Sequence, residues 1–385
     1  MPVRRPRVCL ISHVYLDRRY RSKLDLLARD VDLTLVSPDE FPTAYGQYHA
    51  DFSEQREYQV RVYRCRFPIG LRTSTRWILG TSDLGFRQHP PDIIHVENEA
   101  NSFSLLQALI YRRLYVPKAK VLIFVWANQR SIGLKRPVSN MLARLMRPGI
   151  DFYICGNSEG RQLLLEVGVP TEKIAVCPLI GIDTTYFSPA AEGERAVLRR
   201  DVGLAPDDLV VGFVGRFVED KGLRDLLQAF QQLRSEMNSD RLRLLCVGDG
   251  PLKSTLMSQG PSVLVASPGG NSKVLPYYRM MDLLVLPSRT LPYWKEQFGL
   301  VMAEAMACGL PVIGSSSGAI PEVIGNTDQV FAEGDVNMLA KKIKDLISSD
   351  VVRADLGGQG IKRVSNHYSD QQIARRTMDI YSQIV

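Results

Sequence analysis

Metal-ligating, disulfide-forming and membrane-spanning patterns are all thin in this sequence. Its six cysteines (Cys9, Cys65, Cys155, Cys177, Cys246 and Cys308) lie scattered through 385 residues, with no CxxC pair and no zinc spacing. That excludes a disulfide framework and a zinc module, and it fits a reducing cytoplasm. No apolar run approaches the roughly 18 residues of a membrane span, and candidates such as residues 121–127 are about strand length. The basic start, MPVRRPRVCLIS, has too short an apolar stretch for a signal peptide and reads as a first strand. Repeats and low-complexity stretches are missing as well. The only Asp-x-Asp, Asp30-Val31-Asp32, stands at a strand start as turn chemistry, and nothing offers Mg²⁺ a dedicated carboxylate cluster.

What is present is a folding composition. Hydrophobic residues make up 45% and charged residues 23%, ordinary for a chain with real cores, so wholesale disorder is excluded. The length predicts two domains. Net charge is +7 and uneven: residues 1–180 hold 26 Lys and Arg against 17 Asp and Glu, whereas the remainder hold 22 against 24. The asymmetry suggests that the first half meets something anionic, although a solvated basic surface would look the same.

Strand and helix signals alternate twice. In the first half, strand-like runs at 7–12, 31–36, 93–96, 121–126 and 152–155 are interleaved with helical spacing at 22–28, 104–114 and 158–168. Residues 37–90, rich in Tyr, Arg and Pro, predict long loops. Residues 181–206, rich in Pro, Gly and charge, read as a linker. Alternation then restarts with strands at 209–214, 242–247, 262–266, 283–286 and 311–314, helices at 223–235 and 300–308, and a helical tail from 335. Such alternation predicts an α/β chain of two doubly wound Rossmann-like domains facing a central cleft. The boundaries expected are 1–180 for the first domain, 181–206 as linker, 207–365 for the second domain, and a C-terminal helix over 366–385 packing back on the first.

Four segments carry chemistry. Residues 296–318, EQFGLVMAEAMACGLPVIGSSSG, hold Glu296 just before a helix start and Glu304 inside it. The free amides of such a start favour an anion, and carboxylates beside an anion make sense when sugar hydroxyls lie between. Residues 211–222, VGFVGRFVEDKG, end a strand at Gly215 and follow it with Arg216 and Lys221, cations suited to a diphosphate. Residues 247–251, VGDGP, form another strand-end turn through Gly248 and Gly250, with Asp249 as a turn residue. Residues 285–288, VLPS, lead into the Glu296 region.

In this order and spacing the segments resemble the family 4 glycosyltransferases of the GT-B fold. The resemblance covers about 205–330 and extends to the junction-like VCPLIGIDTTYFSP at 176–189. It implies an enzyme that moves a sugar from a nucleotide diphosphate sugar to an acceptor with retention of anomeric configuration. It further implies that Arg216 and Lys221 hold the diphosphate, and that Glu296 contacts the donor sugar. Phe298, Gly299 and Leu300 would present backbone amides, Glu304 would take the ribose hydroxyls, and Gly215, Gly248, Gly250 and the stretch to 274 would line the nucleotide. With no carboxylate cluster to hold Mg²⁺, a metal-independent reaction without a cofactor is expected.

The first half departs from the family pattern. Ser12-His13-Val14-Tyr15 stands where many members carry a Gly-Gly turn, and Asn128-Gln129 where many carry a donor-contacting His. Acceptor-side candidates are therefore His13, Glu97, Glu99, Asn128 and Gln129, while His95, inside a strand, reads as a packed core histidine. Residues 135–147 mix Met and Leu with Lys and Arg as a basic amphipathic helix on an anionic membrane would, against the favoured reading of a core-facing helix with a solvated basic edge. Two alternatives to the transferase stay open, a GT-B-type sugar-nucleotide epimerase and a non-catalytic polyanion-binding protein. The second lacks any basic stripe with exposed stacking aromatics, so no nucleic-acid partner is expected.

Overall fold

Strands buried on both faces must be almost wholly apolar, and that is how most strands of this chain read. The computed structural model describes residues 4–43, 46–54, 56–67, 77–80, 83–129, 136–267 and 273–385. The chain divides into two compact units, Met1–Gly181 with Asp370–Val385, and Ile182–Ser369.

In unit 1, seven parallel strands are β1 (Arg7–Ile11), β2 (Asp32–Pro38), β3 (Gln59–Tyr63), β4 (Ile93–Val96), β5 (Lys120–Val125), β6 (Phe152–Cys155) and β7 (Ile174–Val176). Their order across the sheet is β7-β6-β5-β4-β1-β2-β3. Register sets Leu10 of β1 opposite Leu35 of β2 and His95 of β4. Strand order therefore reverses between β1 and β4, which opens a crevice at their carboxyl ends.

Residues 37–90 are not the long loops expected. They contain β3 and two short antiparallel hairpins, Glu40–Thr43 with Gly46–His49 and Cys65–Arg66 with Ile78–Leu79. β3 escaped notice because an edge strand has a single partner and, in QVRVY, keeps Gln59 and Arg61 among its valines. The helix Asp370–Ile384 completes unit 1: Ile373 and Tyr381 are buried in one cluster with Val8, Leu24 and Leu27, and Ser22 donates to Asp370. His95 is indeed a core residue, its Nδ1 lying 2.8 Å from the Tyr381 hydroxyl.

Unit 2 repeats the plan with β8 (Leu209–Val214), β9 (Leu242–Val247), β10 (Val263–Ala266), β11 (Leu283–Leu286), β12 (Val312–Ser315) and β13 (Val330–Phe331). All are parallel, ordered β10-β9-β8-β11-β12-β13. Here the order reverses between β8 and β11. Among the described residues no helix is long and apolar enough to cross a membrane.

The linker expected at 181–206 needs correction. Residues 182–206 belong to unit 2 and hold the helix Glu194–Asp201. Arg199 on that helix is buried and donates to the carbonyls of Met280, Pro206 and Asp208, each at 2.9 Å, and to Asp282 at 2.8 Å. Asp282 in turn accepts from the Val210 amide at 2.7 Å, so the guanidinium fastens this helix to the amino ends of β8 and β11. Charge density suggested a solvated connector, whereas one of those charges is a buried tie. Arg199→Ala leaves Asp282 a buried charge with one cation fewer, and should lower unit 2 stability by about 3–5 kcal/mol. Urea denaturation checks this, and Arg199→Lys, which lacks the planar fork, should recover little of the loss.

Candidate active site at the carboxyl ends of the strands

In unit 2 several glycines meet neighbouring main chain too closely for any side chain but hydrogen. β8 runs into Gly215 (φ +150°) and β9 into Gly248 (φ +153°). A Cβ on Gly248 would lie 1.9 Å from the Gly215 carbonyl oxygen. Gly250 (φ +148°) is also pressed on Phe217, a Cβ there falling 2.7 Å from the Phe217 carbonyl oxygen, and the Phe217 amide donates to the Asp249 carbonyl at 2.8 Å. The two turns thus interlock. Asp249 behaves as a turn residue, accepting from the Gly250 amide at 2.8 Å and pairing with Lys253 at 2.9 Å.

Further on, Gly222 (φ +67°) approaches the end of β11, where a Cβ would sit 1.9 Å from the Pro287 carbonyl oxygen. The Arg289 amide donates to the Asp220 carbonyl at 2.9 Å, and the Arg289 guanidinium grips both Asp225 oxygens at 2.7 and 2.6 Å. Lys221 is thereby held beside the β11 end, with its Nζ 2.6 Å from Glu296 Oε2. That oxygen also accepts from Ser288 at 3.1 Å. The Lys221 ammonium lies 4.5 Å from the centre of the Trp294 ring, an attractive cation–π distance. Gly318 (φ +53°) holds the Glu296 main chain from the other side: a Cβ there would meet the Glu296 carbonyl oxygen at 2.0 Å.

Glu304 has different partners. Gly299, at φ +77°, starts the helix Leu300–Ala307, and Glu304 lies buried one turn on, accepting from the Tyr278 hydroxyl at 2.6 Å. Burial and the Glu304 charge push the Tyr278 hydroxyl well above its ordinary range. Phe298 packs edge-on to Tyr368, with ring centres 5.3 Å apart. Arg216, partly exposed, lies 3.5 Å from Asp220.

The acceptor-side candidates cluster at the crevice of unit 1, after β1, β4 and β5. His13 stacks on Phe41 at 4.1 Å and meets Trp77 edge-on at 5.9 Å, and burial lowers its pKa to about 4. Glu97 corrects an expectation. It has no exposed surface, accepts from the Tyr15 hydroxyl at 3.0 Å and lies 3.7 Å from Lys23, so its carboxylate serves the interior. Burial raises its pKa, with Lys23, Ser12 and Tyr15 opposing. Glu99 is only half-buried. Burial pushes its carboxyl up to about 7, against the amides of Trp126 and Ala127, which bond to it. That places Glu99 against the end of β5, beside Asn128, which is buried, and Gln129, half-buried.

Known proteins match both halves. Residues 208–349 fit the family model described as glycosyl transferases group 1, and residues 21–179 that of the glycosyl transferase 4-like domain. The chain resembles the family 4 glycosyltransferases of the GT-B fold. Among curated relatives, it is 32% identical over 188 residues to the capsular polysaccharide biosynthesis glycosyltransferase CapM of Staphylococcus aureus, covering 46% of this chain and 47% of that one. It is 29% identical over 194 residues to the N-acetyl-alpha-D-glucosaminyl L-malate synthase of Bacillus anthracis, covering 49% of each. The chain spans about half the length of the curated relatives it matches. Among solved structures, Anabaena Alr3699/HepE in complex with UDP aligns with a TM-score of 0.73 at 17% identity, over 98% of this chain and 100% of that one. At that identity the likeness concerns the fold.

Of the positions carried over from this family, the structure brings Lys221 and Glu296 into contact and stations Gly215, Gly248 and Gly250 at interlocked strand ends. Phe298, Gly299 and Leu300 stand at the helix start. The stretch expected by the base falls partly on 268–272, outside the described residues. Three groups at this family-type site escaped the sequence reading: Trp294 over Lys221, Tyr278 on Glu304, and Ser288, quoted within VLPS but given no task. An aromatic in a loop carries no periodic signal, and a hydroxyl's partner lies far away in sequence. Among the described residues no three His, Cys, Asp or Glu side chains gather as a metal site.

The unit 1 shifts make a pH test. Folding raises the Glu99 pKa from 4.5 to about 7, so stability present below pH 4.5 is withdrawn as pH rises to about 7. His13, lowered from 6.5 to about 4, acts in the opposite sense, withdrawing stability as pH falls through that range. Glu99→Gln should therefore gain stability over wild type progressively between about pH 4.5 and 7, read by urea midpoints. A constant difference across that range would remove the assigned shift.

Proposed function

We propose that this protein is a retaining, metal-independent glycosyltransferase that moves a hexosyl group from a nucleotide diphosphate sugar to a hydroxyl acceptor. The observation that carries the reading is Lys221 bonded to Glu296 at the strand-order reversal of unit 2, where doubly wound sheets bind nucleotides. Lys221 has three N–H donors, and with one given to Glu296 the others remain for a phosphate oxygen. Arg216 adds a second cation to the diphosphate. Glu296, its one oxygen fastened by Lys221 and Ser288, accepts from donor sugar hydroxyls. Glu304, oriented by the Tyr278 hydroxyl, accepts from the ribose. The close glycine contacts leave backbone at the surface where a side chain would block the ligand.

In the proposed step the acceptor oxygen bonds to the anomeric carbon as the bond to the diphosphate oxygen breaks. The acceptor proton passes to that departing oxygen on the same face, which gives retention. The two cations stabilise the leaving charge, a role in which Mg²⁺ would otherwise serve. Glu99 is the acceptor-side group best suited to orient a hydroxyl. The UDP complex of Anabaena Alr3699/HepE supports a uridine nucleotide as the first to try. The matches to glycosyltransferase models over both halves favour this reading over an epimerase or a polyanion-binding protein.

Thermal unfolding with UDP, GDP or ADP, each with EDTA present, tests the donor site. A nucleotide at 100 times its dissociation constant adds about 2.7 kcal/mol, a shift of several degrees. A shift with one nucleotide is expected, and silence with all three would remove the cradle assigned to Arg216 and Lys221. Glu304→Ala should weaken nucleotide binding about tenfold, as loss of a charge-assisted bond does. Glu296→Ala should instead lower turnover while leaving affinity for the bare nucleotide near wild type, and titration calorimetry separates the two.

A further inference from the structure

Between Glu99 and Asp151 the chain carries nine Lys and Arg and not one Asp or Glu. That stretch builds the crossovers from β4 to β5 and from β5 to β6, and right-handed crossovers between successive neighbouring strands lie on the same face of the sheet. The first contains the helix Phe103–Tyr115 and the second the helix Arg136–Met146, which runs on into Arg147–Gly149. They adjoin: Arg112 donates to the Gly149 carbonyl at 2.8 Å, and a Cβ on Gly149 would strike Leu109 at 2.8 Å.

Both helices bury one apolar face and leave another in solvent. In the first, Leu105 and Ala108 are buried while Leu106, Ile110 and Leu114, spaced four apart, are 37%, 47% and 63% exposed. In the second, Met146 is buried while Met141 and Leu145 are 54% and 70% exposed. The core-facing reading of 135–147 therefore accounts for only one side of that helix. Arg113, Lys118 and Arg144 are exposed around these side chains. Asp151 is taken by Arg112 at 3.5 Å, Asp83 lies 3.9 Å from Arg87, whose guanidinium stands 4.7 Å from the Tyr115 ring, and the next acidic residue along the chain is Glu159 on the following helix.

We infer that this two-helix face of unit 1 docks on an anionic lipid bilayer. Aliphatic side chains in rows, flanked by cations with no carboxylate among them, suit insertion at the headgroup boundary under attraction from anionic lipid. A second copy of the chain is disfavoured as occupant, because a two-fold contact would set cations against cations. A nucleic acid would use the cations and leave the leucines in water. The inference stands on unit 1 alone and does not depend on the reaction proposed for unit 2.

Co-sedimentation of the full chain with vesicles tests it, comparing phosphatidylcholine alone with phosphatidylcholine mixed with phosphatidylglycerol. Wild type should pellet with the mixed vesicles and remain soluble with the neutral ones. Leu114→Asp with Leu145→Asp, and separately Arg113→Glu with Arg144→Glu, should each lower the partition at least about tenfold. Thermal midpoints should hold, since all four positions are exposed. No recovery of wild type on anionic vesicles would overturn the inference. So would unchanged recovery of the leucine variant on the mixed vesicles, since that marks attraction by charge alone. Where the double variant fails to fold, Leu114→Ser with Leu145→Ser, which removes the apolar side chains without adding charge, makes the same comparison.

Discussion

Backbone pressed directly on backbone at the strand ends of unit 2 is the constraint from which its site follows. Gly248 on Gly215, Gly222 on Pro287 and Gly318 on Glu296 are contacts in which a Cβ would fall about 2 Å from a carbonyl oxygen. Each also holds a positive φ open to glycine at little steric cost. Lys221, Glu296 and the turn after β9 have their positions because the main chain is locked at these points. The side-chain bonds among Lys221, Ser288 and Glu296 come second and depend on that closeness.

The carboxylates of the two crevices show how one functional group is put to different uses by its surroundings. Glu296 is paired with an ammonium and a hydroxyl, and Glu304 accepts from a phenol whose ionisation it further discourages. Glu97 is sealed inside unit 1 against Tyr15 and Lys23. Glu99, two residues on, keeps part of its surface and a raised pKa. Chain position places Glu97 and Glu99 just past a strand, Glu296 in the loop beyond β11 and Glu304 in the helix that follows, and the neighbours supplied by other elements decide what each can do.

Both units share the order of an open sheet reversing at its fourth strand, so their polar residues gather after the first and fourth strands. The same rule puts Ser12, His13 and Glu97–Glu99 together in one unit, and Gly215–Lys221 with Ser288–Glu296 in the other. Unit 1 fills its crevice with aromatic rings around His13, while unit 2 lines its own with glycine and cations. The outward helices of unit 1 add a cationic apolar face that the crevice chemistry does not use.

The twofold alternation of strand and helix, the glycine turns at 215 and 248, and the Glu296 to Glu304 spacing were all legible in the residues. Each is local: a buried parallel strand must be apolar, a strand-end turn close to a ligand needs glycine, and a helix repeats every few residues. What required the tertiary structure is contact across long stretches of chain. The supposed linker became part of unit 2 because buried Arg199 reaches Met280 and Asp282, and β3 joined the sheet although its sequence is half polar. Trp294 and Tyr278 took their places over Lys221 and Glu304, and Glu97 lost the solvent that its loop-like sequence promised. Composition and periodicity report the conformation a segment prefers, but they carry nothing about which distant side chain will come to share its low-dielectric surroundings, and that pairing alone separates a sealed carboxylate from a working one.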